Sequence, residues 1–253
     1  MQLHSTIEVP YLALTTMTGE EIKSAILLAN HISIDLMRIQ EYEGAESLLR
    51  GGLSLVDDCV QDIPRAGESD EDVENPPGKF HPVNLGANIP PPAMEELNHF
   101  TIFDRAVTIE LDQNEPDFFA TKPSESLCIM MYCALYYNLG LCLHLSSFEQ
   151  ASNNRDVLRQ AYGAYQRSHE IIYPWPEDDS YMIMEIATWN NKGFIHFQRG
   201  ELEEVRNCRG NMTEGISAML GLARTYGVGQ LRHISHLSRS ITSRVEHAPD
   251  RLR

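Results

Sequence analysis

Basic side chains are scarce in this 253-residue chain, which has 20 lysines and arginines against 36 aspartates and glutamates and a formal net charge of −16. An excess of carboxylates repels phosphate backbones, so this balance disfavours nucleic-acid binding. The charge is uneven, because residues 1–125 carry 7 basic and 23 acidic side chains whereas residues 209–253 carry 7 and 3. The basic C-terminal region is predicted to be a solvated helix face that pairs with the acidic remainder, and contact with an acidic partner is the alternative.

Cysteine is also rare, and its spacing excludes two classes of small domain. The five cysteines are an odd number without a CxxC pair, so the sequence has neither zinc-site spacing nor a disulfide framework. Such usage is typical of a reducing compartment. The N-terminus, MQLHSTIEVPYLALTTMTGEE, lacks the basic residues that precede the apolar core of a secretory signal. We therefore expect an intracellular, cytoplasmic protein.

The common motifs of catalysis are missing, since the sequence contains no GxSxG, no P-loop and no GxGxxG. Glu96 and His99 supply one half of a di-iron spacing, but no second copy occurs. His233 and His236 fall on one helix face without a carboxylate or cysteine at ligand spacing. Both pairs are interpreted as ordinary polar positions, and no metal site is predicted.

A thiol nucleophile is the remaining catalytic hypothesis. Cys142 could be paired with His144 or His169 as its base, but its apolar helix is expected to raise the thiol pKa and leave the group inert. The sequence therefore favours a non-catalytic protein without a cofactor. The alternative is a helical enzyme, either metal-dependent or a hydrolase.

One segment is long enough to cross a bilayer. From Ser126 to Phe148 there are 23 residues without a formal charge. Polar residues such as Asn138 and His144 would then lie at membrane depth, which is costly, and neither flank is rich in lysine or arginine. We interpret the segment as a buried core helix and expect no membrane span, and a membrane-associated subunit is the alternative.

Apolar residues recur at helical spacing in three consecutive pairs of segments. The first pair opens at Thr18-Gly-Glu-Glu21, which has the form of a capping box, and breaks near Gln40. The third pair turns at Gly200. The three predicted hairpins occupy residues 22–56, 127–173 and 179–227. A final amphipathic helix is predicted over residues 231–245, where it would cover the end of the stack.

Two further segments divide the chain. Residues 61–99 hold seven prolines and an acidic run, so they are predicted to be a flexible, disordered loop. Residues 100–111 alternate apolar and polar side chains near their end, which predicts an extended element in a short hairpin or lying on helices. The predicted organisation is residues 1–60 as the N-terminal segment and first hairpin, residues 61–99 as the loop, and residues 100–253 as the remainder.

The three hairpins share a register. The second reads Tyr136-Tyr-Asn-Leu-Gly140, the third reads Trp189-Asn-Asn-Lys-Gly193, and the first reads Ala29-Asn-His-Ile-Ser33. This pattern resembles the tetratricopeptide repeat (TPR), in which an aromatic residue precedes Leu-Gly and the second helix carries alanine and an aromatic residue. The layout is also similar to that of TPR-like proteins of diatom-type algae. The resemblance implies an all-α fold of antiparallel hairpins stacked as a short solenoid, with small residues where paired helices approach closely.

The match covers about residues 22–56 and 127–223, and it departs from the family in three respects. The second hairpin has about nine extra residues between its helices. Roughly seventy residues separate the first hairpin from the second. Lys192 also stands where the family has leucine.

The resemblance further implies a groove lined by the first helix of each hairpin. An asparagine offers both a donor and an acceptor, so paired asparagines can clamp an extended peptide backbone, and aromatic neighbours can serve as apolar anchors. Alternatively, the asparagines bond to adjacent helices and the phenylalanines belong to the core. The predicted partner-binding residues are Asn30, Ile34, Tyr137, Asn138, Leu141, His144, Asn190, Asn191, Phe194 and Phe197.

The function predicted from this pattern is protein–protein interaction, as an adaptor or an assembly scaffold. The cations that bind acidic peptide tails are missing, because Ala187 and Asn191 stand where they are expected, so a neutral or basic partner segment is favoured. Replacing Asn138 and Asn191 by alanine is expected from this pattern to weaken partner binding with little change in melting temperature.

Overall fold

Six helices and one two-stranded sheet make up the part of the chain that the computed structural model describes, residues 18–61, 78–86, 103–111, 124–149, 154–172 and 179–226. In chain order they are α1 (Gly19–Arg38), α2 (Tyr42–Gln61), β1 (Gly78–Asn84), β2 (Arg105–Leu111), α3 (Glu125–Ser146), α4 (Asn154–Ile172), α5 (Asp179–Gln198) and α6 (Leu202–Tyr226). The mostly helical fold predicted from the sequence is confirmed. The predicted helix over 231–245 lies outside the described residues.

Helix α1 begins at the predicted capping box. The Thr18 hydroxyl accepts a hydrogen bond from the Glu21 backbone N–H at 3.3 Å, and the Glu21 carboxylate accepts one from the Thr18 backbone N–H at 2.7 Å. Two N–H groups that the helix leaves unpaired are thereby satisfied. The pKa of Glu21 is lowered because its carboxylate accepts hydrogen bonds from the backbone N–H and from the hydroxyl of Thr18.

The first and third hairpins turn in the same way. In each turn one residue adopts a left-handed backbone, Gln40 with φ 65° and Gly200 with φ 75°. The next N–H, of Glu41 or Glu201, donates to the carbonyl five residues earlier at 2.9 and 3.0 Å, which is the Schellman arrangement. Gln40 follows Ala29 by the same number of residues as Gly200 follows Trp189. Ala29 and Trp189 are equivalent positions in the sequence register.

Helices that follow each other in sequence pack together throughout the described chain. α1 packs on α2, α3 on α4 and α5 on α6, and the hairpins are joined by contacts of α2 with α3 and of α4 with α5. The first hairpin therefore contacts the second directly, despite the roughly seventy residues between them. Helix α3 occupies the centre, because it also contacts α1 and β2.

This central position explains the uncharged segment of the sequence. Seventeen of the 22 residues of α3 are buried. By length and composition α3 could cross a membrane, and it is the one such helix among the described residues, but burial against its neighbours is also what a core helix shows. The sequence interpretation of a buried core helix agrees with this packing.

Strand β1 corrects the prediction of a disordered loop over residues 61–99. β1 pairs antiparallel with β2, from Gly78 opposite Leu111 to Asn84 opposite Arg105. Its Phe80 is buried and contacts Tyr181 of α5, with ring centroids 4.6 Å apart. The prediction was wrong for residues 78–86 because the acidic residues and most prolines of the range lie on either side of them. Residues 62–77 and 87–99 lie outside the described residues.

The extended segment predicted near 100–111 is confirmed as one strand of a hairpin. β2 packs on α1 and α3, and β1 packs on α5. Ala106 and Val107, the second and third residues of β2, are both buried. The β-hairpin formed by β1 and β2 therefore lies against the first helix of each of the three helical hairpins. This is where the sequence predicts a groove.

Candidate functional site

Asn138 on α3 holds both main-chain groups of one strand residue. Its Oδ1 accepts a hydrogen bond from the Val107 N–H at 2.8 Å, and its Nδ2 donates to the Val107 carbonyl at 2.7 Å. The side chain is fully buried. One carboxamide thus bonds to a strand residue as a neighbouring strand would, with one donor and one acceptor.

Asn30 on α1 completes this arrangement. Its Nδ2 donates to the same Val107 carbonyl at 3.0 Å, and its Oδ1 accepts a second hydrogen bond from Asn138 Nδ2 at 2.7 Å. The two asparagines come from different helical hairpins, and both donate a hydrogen bond to the Val107 carbonyl. The Val107 carbonyl therefore accepts two hydrogen bonds, which uses both lone pairs of a backbone oxygen.

Asn191 on α5 repeats the pattern four residues earlier along the strand direction. Its Oδ1 accepts a hydrogen bond from the Phe103 N–H at 2.8 Å, and its Nδ2 contacts the Phe103 carbonyl at 3.3 Å. The Tyr165 hydroxyl accepts a further hydrogen bond from the same Nδ2 at 3.1 Å, and the Asn190 amide donates to Oδ1 at 3.2 Å. We refer to Asn30, Asn138 and Asn191 together as the asparagine groove.

The strand pairing explains why Val107 is available to the helices. Val107 lies opposite Pro82 in the register, and proline has no N–H to donate. In an antiparallel pair, residues whose main-chain groups do not bond to each other point those groups away from the partner strand. The Val107 groups thus face the asparagine groove, where Asn30 and Asn138 satisfy them.

The ten residues predicted to bind a partner do not line an open surface in this structure. Asn30 and Asn138 bond to Val107 of β2, Asn191 bonds to Phe103 just before β2, and four of the apolar members pack in the core, namely Ile34, Tyr137, Leu141 and Phe194. Whether they bind a partner stays a prediction, but the description of an open groove needs correction, because the chain's own segment lies in it. Nine of them are buried, Asn30, Ile34, Tyr137, Asn138, Leu141, His144, Asn190, Asn191 and Phe194, and Phe197 is half-buried.

The catalytic hypothesis for Cys142 gains no support from its surroundings. Its Sγ donates a hydrogen bond to the Tyr42 carbonyl at 3.3 Å. Burial raises the pKa of the Cys142 thiol to about 12, as the sequence predicted, so the thiolate is not populated at neutral pH. Burial lowers the pKa of His144 to about 3 and that of His169 to about 4.

His144 makes the stability of the protein sensitive to acid. Its buried ring packs against the rings of Phe148, Tyr165 and Phe194, with centroids 5.9, 6.1 and 5.4 Å away. The folded pKa of about 3 lies below the ordinary value of 6.5, so between these values the unfolded chain binds a proton that the folded chain does not. The free energy of unfolding therefore falls as the pH falls through this window.

A His144→Phe variant is expected to flatten this pH dependence. At pH 4.5 the histidine costs the native protein about 2 to 3 kcal/mol relative to neutral pH, so the variant should lose less stability by about that amount. Urea titrations at pH 7 and 4.5 measure the difference. His31→Gln is the matched control, because it removes a histidine whose side chain is exposed. Equal pH dependence in wild type and His144→Phe would contradict this account.

Lys192 of α5 lies among aromatic side chains of α4 and α5. Its Nζ lies 4.1 Å from the centroid of Trp189 and 5.3 Å from that of Tyr162, and it donates to Gln166 Oε1 at 2.6 Å. Ring faces attract the ammonium, which offsets part of the cost of burial. Burial nevertheless lowers the pKa of Lys192. Lys192 is thus a buried cation that ring faces and one side-chain oxygen surround.

The residues considered as possible metal ligands lie outside the part of the chain that the structure describes. Glu96, His99, His233 and His236 all lie outside the described residues. Among the residues that the structure describes, no group of three or more histidine, cysteine or acidic side chains is arranged to hold a metal ion.

The sequence predicts the asparagines of the site but not the main-chain groups to which they bond. Main-chain groups carry no sequence signal of their own, so the asparagine pattern alone predicts a separate protein in the groove rather than Phe103 and Val107. A signal was present in the alternation of Phe80 and Pro82 with Lys79 and His81, which is strand-like. Proline within a strand pattern is tolerated at an edge, so this segment was compatible with β-structure.

Comparison with known proteins does not assign this chain to a family. No protein-family model matches the chain, and neither a curated protein nor a solved structure matches it. The contacts of the asparagine groove are therefore the observations from which a function can be inferred.

Proposed function

We propose that this chain is a non-catalytic protein–protein interaction module, an adaptor or assembly scaffold, whose TPR-like groove binds an extended segment of a partner protein. The partner is a protein or peptide, and the proposal involves neither a cofactor nor nucleic acid. The asparagine groove is the surface that would hold the segment.

Three features of the described helices support a TPR-like arrangement. The turns of the first and third hairpins have the same geometry at the same place in the register. Tyr136 and Trp189, which the register equates, are both partly buried and packed against the core. Gly140 lies where a side chain would meet the ring of Tyr165 on the paired helix, as the close approach in the family requires.

The observation that carries the proposal is the chemistry of the asparagine groove. Three asparagines from three helical hairpins bind the N–H and C=O groups of an extended segment at two places, and all of these bonds go to its main chain. Recognition of this type depends on backbone conformation more than on side-chain identity. A groove with this chemistry can hold extended segments of other proteins.

The charge distribution favours a neutral or basic partner segment. Residues 1–125 carry most of the excess negative charge of the chain, and they include α1 and β2. Complementary charge increases the association rate and suppresses acidic competitors. This preference concerns the overall charge of the N-terminal half of the chain, since the asparagines themselves are neutral.

Affinity capture with release by a peptide tests the proposal. The immobilised full-length chain is incubated with native lysate, and retained proteins are then released with an excess of a synthetic peptide of residues 101–111, TIFDRAVTIEL. We expect this peptide to release proteins held in the asparagine groove. The control peptide TIFDRAPTIEL should release far less, because proline removes the N–H that Asn138 binds.

Two results would count against the proposal in different ways. Retention of no protein beyond that on a control matrix of equal negative charge would contradict an interaction role. Retained proteins that neither peptide releases would contradict binding in the asparagine groove and point to another surface of the chain.

A further inference from the structure

We infer that the β-hairpin is an internal competitor, in which residues 103–107 occupy the asparagine groove until an extended, non-proline segment of a partner protein replaces them. This inference rests on the proposed function and adds its regulation and the chemistry of the partner segment.

The bonds that hold the segment are not specific to its sequence. Val107 and Phe103 contribute only an N–H and a C=O to the asparagines, and every residue except proline offers both. The two residues lie four apart on one edge of an extended chain, which is a spacing of about 13 Å. A partner segment therefore needs N–H groups at two positions four residues apart, with extended backbone between them.

The two strands of the β-hairpin are in antiparallel register over seven residue pairs, so we expect them to leave the helices together rather than one at a time. The outer edge of β1 is a poor alternative docking site for a partner strand. Pro82 lies in the middle of β1, and its missing N–H interrupts the ladder that an added strand would form. The edge with complete hydrogen-bonding capacity is that of β2, which faces the asparagine groove.

The chain's own segment is an imperfect occupant of the groove. Asp104 lies between the two anchored residues, and it is half-buried. Burial raises the pKa of this carboxyl group, which shows that its charged form is disfavoured there. A partner segment with a neutral residue at this position avoids that cost, so it can compete even though the hairpin is covalently attached.

The inference is tested on the full-length chain with a fluorescent peptide of residues 101–111 that carries asparagine in place of Asp104. Phe80→Ala removes the ring contact of β1 with Tyr181 and should open the hairpin more often. We expect this variant to bind the peptide at least about tenfold more tightly than wild type, because less of the protein is occluded. Lys79→Ala, an exposed change on the same strand, should bind like wild type.

Native-state hydrogen exchange tests the same inference without a substitution. If the hairpin opens locally, the amides of Phe103 and Val107 should exchange at least about a hundredfold faster than buried amides of α3 such as that of Leu141. Exchange of Val107 only through global unfolding, or equal peptide affinity of wild type and Phe80→Ala, would overturn the inference. Should Phe80→Ala fail to fold, the exchange result on wild type decides.

The two proposals fail in distinguishable ways. In one outcome the hairpin never opens and the peptide fails to release the retained lysate proteins. This pair of results would contradict the internal competition and leave an interaction role at another surface. A hairpin that opens and admits the peptide, with no protein retained from lysate, would leave the competition intact and remove the proposed cellular role.

Discussion

Replacing Asn138 by alanine is expected to lower the free energy of unfolding by about 4 kcal/mol, because two buried polar groups lose their partners at a cost of about 1 to 3 kcal/mol each. These groups are the Val107 N–H and Asn30 Oδ1. The Val107 carbonyl keeps one hydrogen bond from Asn30. Chemical denaturation at pH 7 measures the change.

Asn207→Ala is the matched control for Asn138→Ala. Asn207 lies on α6 and is exposed, so its replacement should change stability by less than about 0.5 kcal/mol. Asn30→Ala combined with Asn138→Ala should cost less than the sum of the single changes, because the two side chains bond to each other and to one carbonyl. A loss below about 1 kcal/mol for Asn138→Ala would show that the asparagine does not hold β2.

This expectation replaces the one drawn from the sequence alone. Asparagines on an open groove could be removed with little effect on melting temperature. Asn138 and Asn191 are instead fully buried and bonded to the chain itself, so their replacement is expected to lower the melting temperature. A loss of partner binding in these variants is therefore informative only when the fraction of folded protein is measured alongside it.

Gly140→Val is expected to destabilise the protein by about 3 kcal/mol, because added side-chain atoms overpack the interface of α3 with α4. A Cβ at position 140 would lie 2.8 Å from two ring carbons of Tyr165. That ring is fully buried, and its hydroxyl accepts a hydrogen bond from Asn191, so it has little freedom to move. The effect should reach the asparagine groove through this hydroxyl.

Gly163→Val on α4 is the control for Gly140→Val. No atom lies within 4 Å of a Cβ built at Gly163, so valine there should change stability by less than about 0.5 kcal/mol, since its helix propensity is slightly better than that of glycine. Thermal unfolding of both variants gives the comparison. Equal stability of the two variants would contradict the close packing of α3 on α4.

The helical part of the fold could be predicted because local signals agreed with one another. The capping box at Thr18, the turn at Gly200 and the apolar spacing all indicate the same boundaries that the structure shows. Helix α3 has almost no amphipathic pattern, and its length and lack of charge identified it as a central helix. Such signals depend on residues close in sequence, which is why they can be recognised without a structure.

The occupied state of the groove could not be predicted, because it depends on contacts between distant parts of the chain. Asn138 meets Val107 across 31 residues, and Asn191 meets Phe103 across 88. The pattern of asparagines indicated that an extended backbone would be bound, and this chemistry is what the structure shows within one chain. What the sequence does not specify is whose backbone it is, since the bonds involve only main-chain groups.

The central claim is that the asparagine groove holds the chain's own extended segment, and nuclear Overhauser effects between selectively labelled amides test it most directly. The account predicts cross-peaks from the Asn138 side-chain amide protons to the Val107 backbone amide proton, and from those of Asn191 to that of Phe103. Assigned spectra of the folded protein that lack both sets of cross-peaks, with the Asn138 side-chain amide showing contacts only to helical residues, would contradict it.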